Sequence, residues 1–228
     1  MAPFVTPFDY LDGLGGLGLG PGPGVEGPGV AYGGHMQPFR VGFVTGATPD
    51  KWARTWRDRR PRERLELVPV TEAEQQDGLR DGSLDMCLVR LPVDRGLVHC
   101  IPLYDEVPVV VVPLEHLVTA AEEVTLADLE DEQLVLPHSS GWAPAAPQLD
   151  FPPMSPGEAI EVVASGTGVV IVPMAVARLH HRKDVATRPV VDLPPTRIGL
   201  AWRLDRDDDQ VQAFIGIVRG RTANSSRS

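Results

Sequence analysis

Two threonines and an arginine stand where a small anion could be held. Thr45, Ala47 and Thr48 lie in "FVTGATPDKWARTW", where a short apolar run gives way to a helix-starting pattern. Two hydroxyls beside the free N–H groups of a helix N-terminus can hold a carboxylate or phosphate. The plainer reading is that Thr48 caps the helix and Thr45 closes a turn. Arg90 ends the apolar run "MCLVR" just before Pro92. A guanidinium at a strand's carboxyl end could grip an anion bidentately, or could pair with Asp85 or Asp94 on the surface.

Other suggestive clusters have simpler explanations. Gly166-Thr167-Gly168 looks like a phosphate loop, but it lacks the lysine and follows a helical pattern instead of preceding one. A helix C-cap at Gly166 fits better. In "RLHHRKD" (Arg178–Asp184) the adjacent His180 and His181 would point about a hundred degrees apart on a helix and chelate poorly. A basic helix end that complements the dipole accounts for them. Trp52 and Trp56, one helical turn apart, read as core packing. Cys87 and Cys100, the only 2 cysteines, sit in apolar runs with no His or Cys at ligand spacing. They read as buried free thiols in a reducing compartment. These residue types form no nucleophile–base pair and no metal cluster, so no catalytic site, metal or cofactor is expected.

The elements that must position these residues alternate between strand and helix. Strands are expected at Phe39–Val44, Leu65–Val70, Leu84–Leu91, Val98–Leu103, Val107–Pro113, Gln133–Leu136, Val169–Val172 and Arg197–Arg203. Helices are expected at Pro49–Arg59, at Glu72–Arg80 behind the capping box Thr71-x-x-Glu74, and briefly after Thr125. Further helices are expected at Pro156–Ala164 behind the box Ser155-x-x-Glu158, from Met174 to about His181, and on the apolar face Val211, Phe214, Ile215 and Val218. Strands alternating with helices favour parallel sheets with right-handed crossovers, an α/β architecture.

Composition narrows the function. The chain has 228 residues and a formal net charge of −10, so free nucleic acid is an unfavourable direct partner. The longest apolar stretch, Val107–Leu114, is broken by prolines and far too short to span a membrane. Residues 1–38 form a Gly/Pro-rich segment, with eleven Gly and three Pro between Gly13 and Gly34, and read as a disordered tail. "HM" at His35–Met36 reads as a cloning junction or an alternative start. The N-terminus lacks the basic region of a signal peptide, and the expected location is cytoplasmic. The polar residues 221–228 read as a frayed end.

The order of "RVGFVTGA", "LELVPV", "LRDGSLDMCLVRLP", "IPLYDEVPVVVVP", "VTLADLEDEQLVL" and "EAIEVVASGTGVVIVPMAVAR" resembles the effector-binding (substrate-binding) domain of LysR-type transcriptional regulators, from Phe39 to Arg219. The resemblance implies two Rossmann-like α/β lobes joined by two crossover strands, Val107–Pro113 and Arg197–Arg203, as in type 2 periplasmic binding proteins. Lobe one would take 39–106 with 197–220, and lobe two 107–196. A ligand cleft between them would have Thr45, Ala47, Thr48 and Arg90 on one wall. Ser139, Ser140, Gly141 and Trp142 would form the facing wall, unless that loop is mobile with Trp142 tucked into the core. Thr167 would also face the cleft.

The implied function is a non-enzymatic sensor in transcription regulation that closes on a small anionic metabolite. Homodimerisation side by side, or contact with a separate regulatory protein, would carry the output. The alternative is an enzyme on the same scaffold acting on a small carboxylate. Two departures stand out. A Gly/Pro-rich tail occupies the place of the helix-turn-helix, so DNA binding is not carried over. The proline-studded segment 137–154 replaces a usual helix and strand.

Overall fold

The computed structural model describes residues 37–220, and the chain order within them is as follows. Strand β1 (Phe39–Val44) leads to helix α1 (Asp50–Arg59), then to β2 (Leu65–Val70), α2 (Asp77–Arg80) and β3 (Met86–Leu91). After β3 come β4 (Val98–Glu106), β5 (Pro108–Pro113), α3 (Pro156–Ala164), β6 (Val170–Pro173), α4 (Met174–Leu179), β7 (Val185–Pro189), β8 (Thr196–Arg203) and α5 (Asp209–Val218). Short 3-10 turns occupy Leu117–Ala120 and Ala127–Leu129. The tail expected over residues 1–38, apart from 37 and 38, and the frayed end at 221–228 lie outside the described residues.

Two sheets organise the chain. The first has the order β2-β1-β3-β8-β4, with β2, β1 and β3 parallel and β8 antiparallel to both β3 and β4. The second has the order β6-β5-β7, with β5 antiparallel to both neighbours. The polypeptide passes between the sheets at Val107 and again between Val190 and Thr196. Each sheet and its helices make one lobe.

Each sheet has a strand buried on both faces, which is why these strands read as unbroken apolar runs. On β3, Met86 and Leu88 face the α1/α5 side while Cys87 and Val89 face the α2 side. On β5, Val109 and Val111 face α3 and α4, while Val110 and Val112 face the layer of Leu129 and Val190. The first lobe is pinned by aromatics. Trp56 stacks on Phe39 at 4.9 Å, both tilt against Phe214 at 5.9 Å, and the Trp56 indole donates to the Glu63 carbonyl at 3.1 Å. That packing ties β1, α1 and α5 together.

Several elements differ from the sequence expectation. The Thr71–Glu74 pairing forms, with the Glu74 N–H donating to Thr71 Oγ1 at 3.3 Å. It nevertheless closes a turn, because helix begins only at Asp77. The expected strand Gln133–Leu136 is reduced to one parallel bridge, Leu134 to Val169. The Leu134 N–H instead donates to the Gln148 side chain at 2.7 Å. Strand β7 was not expected, because "VATRP" lacks an apolar pattern and its residues are only half-buried. The second sheet is antiparallel among its named strands, not parallel. By contrast, Ser155 forms a reciprocal capping box with Glu158 at the start of α3, with Pro156 at the first position.

Trp56→Ala should lower stability by about 3–5 kcal/mol, because it empties the centre of a three-ring cluster. A urea unfolding curve reads the loss directly.

Candidate functional site

A turn, a hinge and a short helix enclose a cavity of about 810 Å³ between the lobes, partly open to solvent. Its first-lobe wall comes from Phe43 and the turn 45–50, from Leu67 and Pro69 on β2, and from Tyr104, Asp105 and Glu106 at the end of β4. Its second-lobe wall is α4, through Met174, Ala175, Arg178 and Leu179. The size suits a small molecule.

The turn after β1 is built for this position. The Ala47 N–H donates to the Val44 carbonyl at 3.0 Å, and Gly46 at its third position has φ +90°. A type II turn requires that conformation, which glycine adopts without strain. A Cβ at Gly46 would also lie 3.0 Å from Val176 Cγ2, so the same glycine lets the turn meet α4 of the other lobe. The Met174 N–H donates to the Val107 carbonyl at 2.9 Å, which extends the β5–β6 ladder past Pro108 and Pro173 and sets the start of α4 beside the crossover. Thr48 was expected to cap α1, but Pro49 takes the cap position and no side chain caps the helix. Thr48 is therefore exposed at the cavity with its hydroxyl uncommitted among the described residues. Asp50 already supplies negative charge to the first turn of α1.

Arg90 is not a lining residue. It is 5% exposed and makes four side-chain hydrogen bonds. Two go to Glu106 Oε2 at 3.0 and 2.8 Å, one to Glu72 Oε2 at 2.9 Å and one to the Thr45 carbonyl at 3.1 Å. Burial pulls its pKa down, but Glu106 and Glu72 outweigh that, and the net shift is upward. Its backbone is clamped by Gln75 on both sides, at 2.7 and 3.0 Å. The sequence pointed to Asp85 or Asp94 as ion-pair partners. Asp85 instead pairs with Arg206 at 2.7 Å, and Asp94 accepts from the Gly96 N–H at 2.9 Å. Arg90 thus positions the cavity rim and leaves little of its fork for a ligand. Glu106 is also 5% exposed, and its Oε1 has no hydrogen-bond partner among the described residues.

The other expected residues are distributed unevenly. Ser139, Ser140, Gly141 and Trp142 are not among the cavity's lining residues. They form a tight loop in which Ser140 Oγ lies 2.8 Å from His138 Nδ1, Gly141 has φ +79°, and Trp142 packs partly against the second-lobe core. Burial lowers the His138 pKa from its usual 6.5, and the Glu72 carboxylate partly raises it again. Thr167 is exposed, sits 2.9 Å from Ser165 Oγ, and precedes β6, whereas the cavity lies beyond that strand's far end. Arg178, Met174, Tyr104 and Asp50 escaped the sequence reading. The junction "IVPMAVARL" carried the signal, since it repeats the strand-to-helix step of "FVTGATPDKW".

An interlobe cavity between two α/β sheets joined twice defines a two-lobed small-molecule binding module. The LysR substrate binding domain model matches residues 33–223, and the chain belongs to that family of effector-binding modules of transcription regulators. It is 27% identical over 201 residues to the Hca operon transcriptional activator HcaR of Escherichia coli (strain K12), covering 81% of this chain and 68% of that protein. It is 25% identical over 206 residues to the HTH-type transcriptional regulator AlsR of Bacillus subtilis (strain 168), covering 82% and 68%. Among solved structures it resembles the BenM effector binding domain with its effector benzoate, with TM-score 0.67, 22% identity, and coverage of 80% of this chain and 90% of that one. The reduced OxyR regulatory domain from Pseudomonas aeruginosa gives TM-score 0.64, 23% identity, and coverage of 80% and 96%. The fold is the bilobed, type 2 periplasmic-binding-protein-like one.

Because burial lowers the His138 pKa below its unfolded value, its contribution to stability should fall as pH drops through 6.5 and the unfolded chain takes up the proton. An NMR titration should place His138 below the usual histidine value, and Glu72→Gln should lower it further. An unchanged pKa in that variant would separate the two lobes at this loop.

Proposed function

We propose that this chain is a non-enzymatic sensor whose two lobes, divided near 106/107 and 196/197, close on a small anionic metabolite. The observation that carries the reading is the cavity shared by Thr48 on one lobe and Arg178 on the other. Arg178 has no ion pair or side-chain hydrogen bond among the described residues, so its guanidinium is available to an acid group. Asp50 disfavours an anion at the α1 N-terminus itself, which leaves Arg178 as the anion's anchor and Thr48 as its hydrogen-bonding neighbour. Phe43, Leu67, Tyr104 and Leu179 offer an apolar lining for the rest of the molecule. HcaR and AlsR are transcription regulators and the BenM domain binds benzoate, which supports a carboxylate effector and an output in transcription control. A cytoplasmic homodimer fits that role.

The likeness to reduced OxyR does not favour a thiol-based sensor here. Burial pushes the Cys87 thiol up to about 12, far from thiolate chemistry. Cys87 and Cys100 both pair with Ala201 from opposite sides of β8. Two strand spacings put them about 10 Å apart, beyond disulfide reach.

A thermal-shift screen of aliphatic and aromatic carboxylates tests the reading. A ligand at a hundred times its Kd should add about 2.7 kcal/mol, or roughly 5–10 °C in Tm for a domain of this size. Arg178→Gln should weaken a hit by about tenfold or more, the worth of a charge-assisted bond, while leaving the ligand-free Tm unchanged. A hit that binds Arg178→Gln as tightly as the original chain would remove the cavity from the account.

A further inference from the structure

The two walls of the interlobe cavity differ in charge. The second-lobe wall carries one uncommitted cation, Arg178. The first-lobe wall carries Asp50, Asp105 and Glu106. Asp105 is already paired, with Arg197 at 2.5 and 3.1 Å. Glu106 is paired with Arg90 through Oε2, and its Oε1 is a buried acceptor without a donor among the described residues. Asp50 has neither an ion pair nor a side-chain hydrogen bond among the described residues. The lining residues therefore leave spare acceptors on one side of the hollow and a spare donor cation on the other.

A ligand that is only an acid satisfies half of this arrangement. Its carboxylate pairs with Arg178 but brings a second negative charge toward Asp50 and Glu106, which is unfavourable in a partly desolvated cleft. An orphaned buried acceptor calls for a donor, and a carboxylate at neutral pH has none to offer. We propose that the effector is amphoteric, a small molecule of the amino acid class. Its carboxylate sits on Arg178, its ammonium faces Asp50 and the Glu106 edge, and its side chain lies against the apolar lining. The proposal rests on the cavity being the effector site, and it keeps the acid group on Arg178 while replacing a net-anionic ligand with one whose acid group is balanced by an ammonium. It also gives the lobes a reason to close: a zwitterion joins the anionic wall to the cationic one, whereas an acid or an amine alone engages a single lobe.

The test uses matched triples that share one body. They are leucine, 4-methylpentanoate and isopentylamine; and phenylalanine, 3-phenylpropionate and 2-phenylethylamine. Binding is read by calorimetry and thermal shift on the whole chain. The expected result is that in at least one triple the amino acid binds about tenfold or more tightly than its purely acidic or purely basic partner, the worth of one charge-assisted contact. Asp50→Asn should then erase the preference over the acid, and Arg178→Gln the preference over the amine, with unchanged ligand-free melting. If acids bind as tightly as the amino acids, the amphoteric assignment fails while the cavity remains the site. If no compound in any triple binds, both the assignment and the reading of the cavity fail. If Asp50→Asn and Arg178→Gln lower the ligand-free Tm together and leave amino acid binding untouched, the two residues pair with each other and the proposal is wrong.

Discussion

Arg90 is the fixed point of the cavity, although it does not line it. Enclosing a guanidinium at 5% exposure carries a desolvation cost of several kcal/mol. The chain places that cation at the carboxyl end of β3, where the first lobe's rim converges. Its four bonds reach the Thr45 carbonyl in the turn, the Glu72 loop, and Glu106 at the end of β4 next to the crossover at Val107. Removing Arg90 strands the Glu106 carboxylate in the interior, a loss of about 3–5 kcal/mol, while an apolar pair of the same size would be comparably stable. What an apolar pair would not do is fix Thr45, Glu72 and Glu106 in one arrangement. The pair's contribution is positional, and the geometry of the cavity's first wall follows from it.

Around that point the lobes are stiff where they pack and thin where they connect. β3 and β5 each bury both faces, so each sheet is held between two apolar layers. Between the lobes run two short segments, and Val107, in the middle of the first, is 51% exposed. Across the gap, the turn at Gly46 packs against Val176 of α4. Few contacts cross, which is the condition for one lobe to shift against the other at modest cost.

Local rules made much of this legible in the sequence. β1 and β2 showed as short apolar runs between turn residues, and α3 announced itself through Ser155, Pro156 and Glu158, because caps and prolines act within a few residues. The legibility ended where pairing depends on distant partners. Leu134 reaches Val169 for one bridge only, β7 exists because β5 offers it an edge, and Glu74 closes a turn where the pattern promised a helix. The site divides in the same way. Thr45, Ala47 and Thr48 line the cavity because a strand end followed by a tight turn is a local device. Arg90's commitment to Glu106 and Glu72 spans 16 and 18 residues and could not be read from spacing. Arg178 looked like an ordinary basic helix end, and only the tertiary fold turns it toward the first lobe's turn.

The cavity's asymmetry follows from this architecture. Acidic groups come from the end of β4 and the start of α1, and the cation comes from α4 across the gap. The chain has a net charge of −10, yet it keeps one uncommitted arginine on its interlobe wall, opposite the acidic residues of the first lobe. The most direct measurement is a crystal structure with the tightest-binding screening hit. One molecule within hydrogen-bond distance of both Thr48 and Arg178, with the walls drawn together around it, is the predicted result. Density for that molecule on a single lobe, or only beside Ser140 and Trp142, would contradict it.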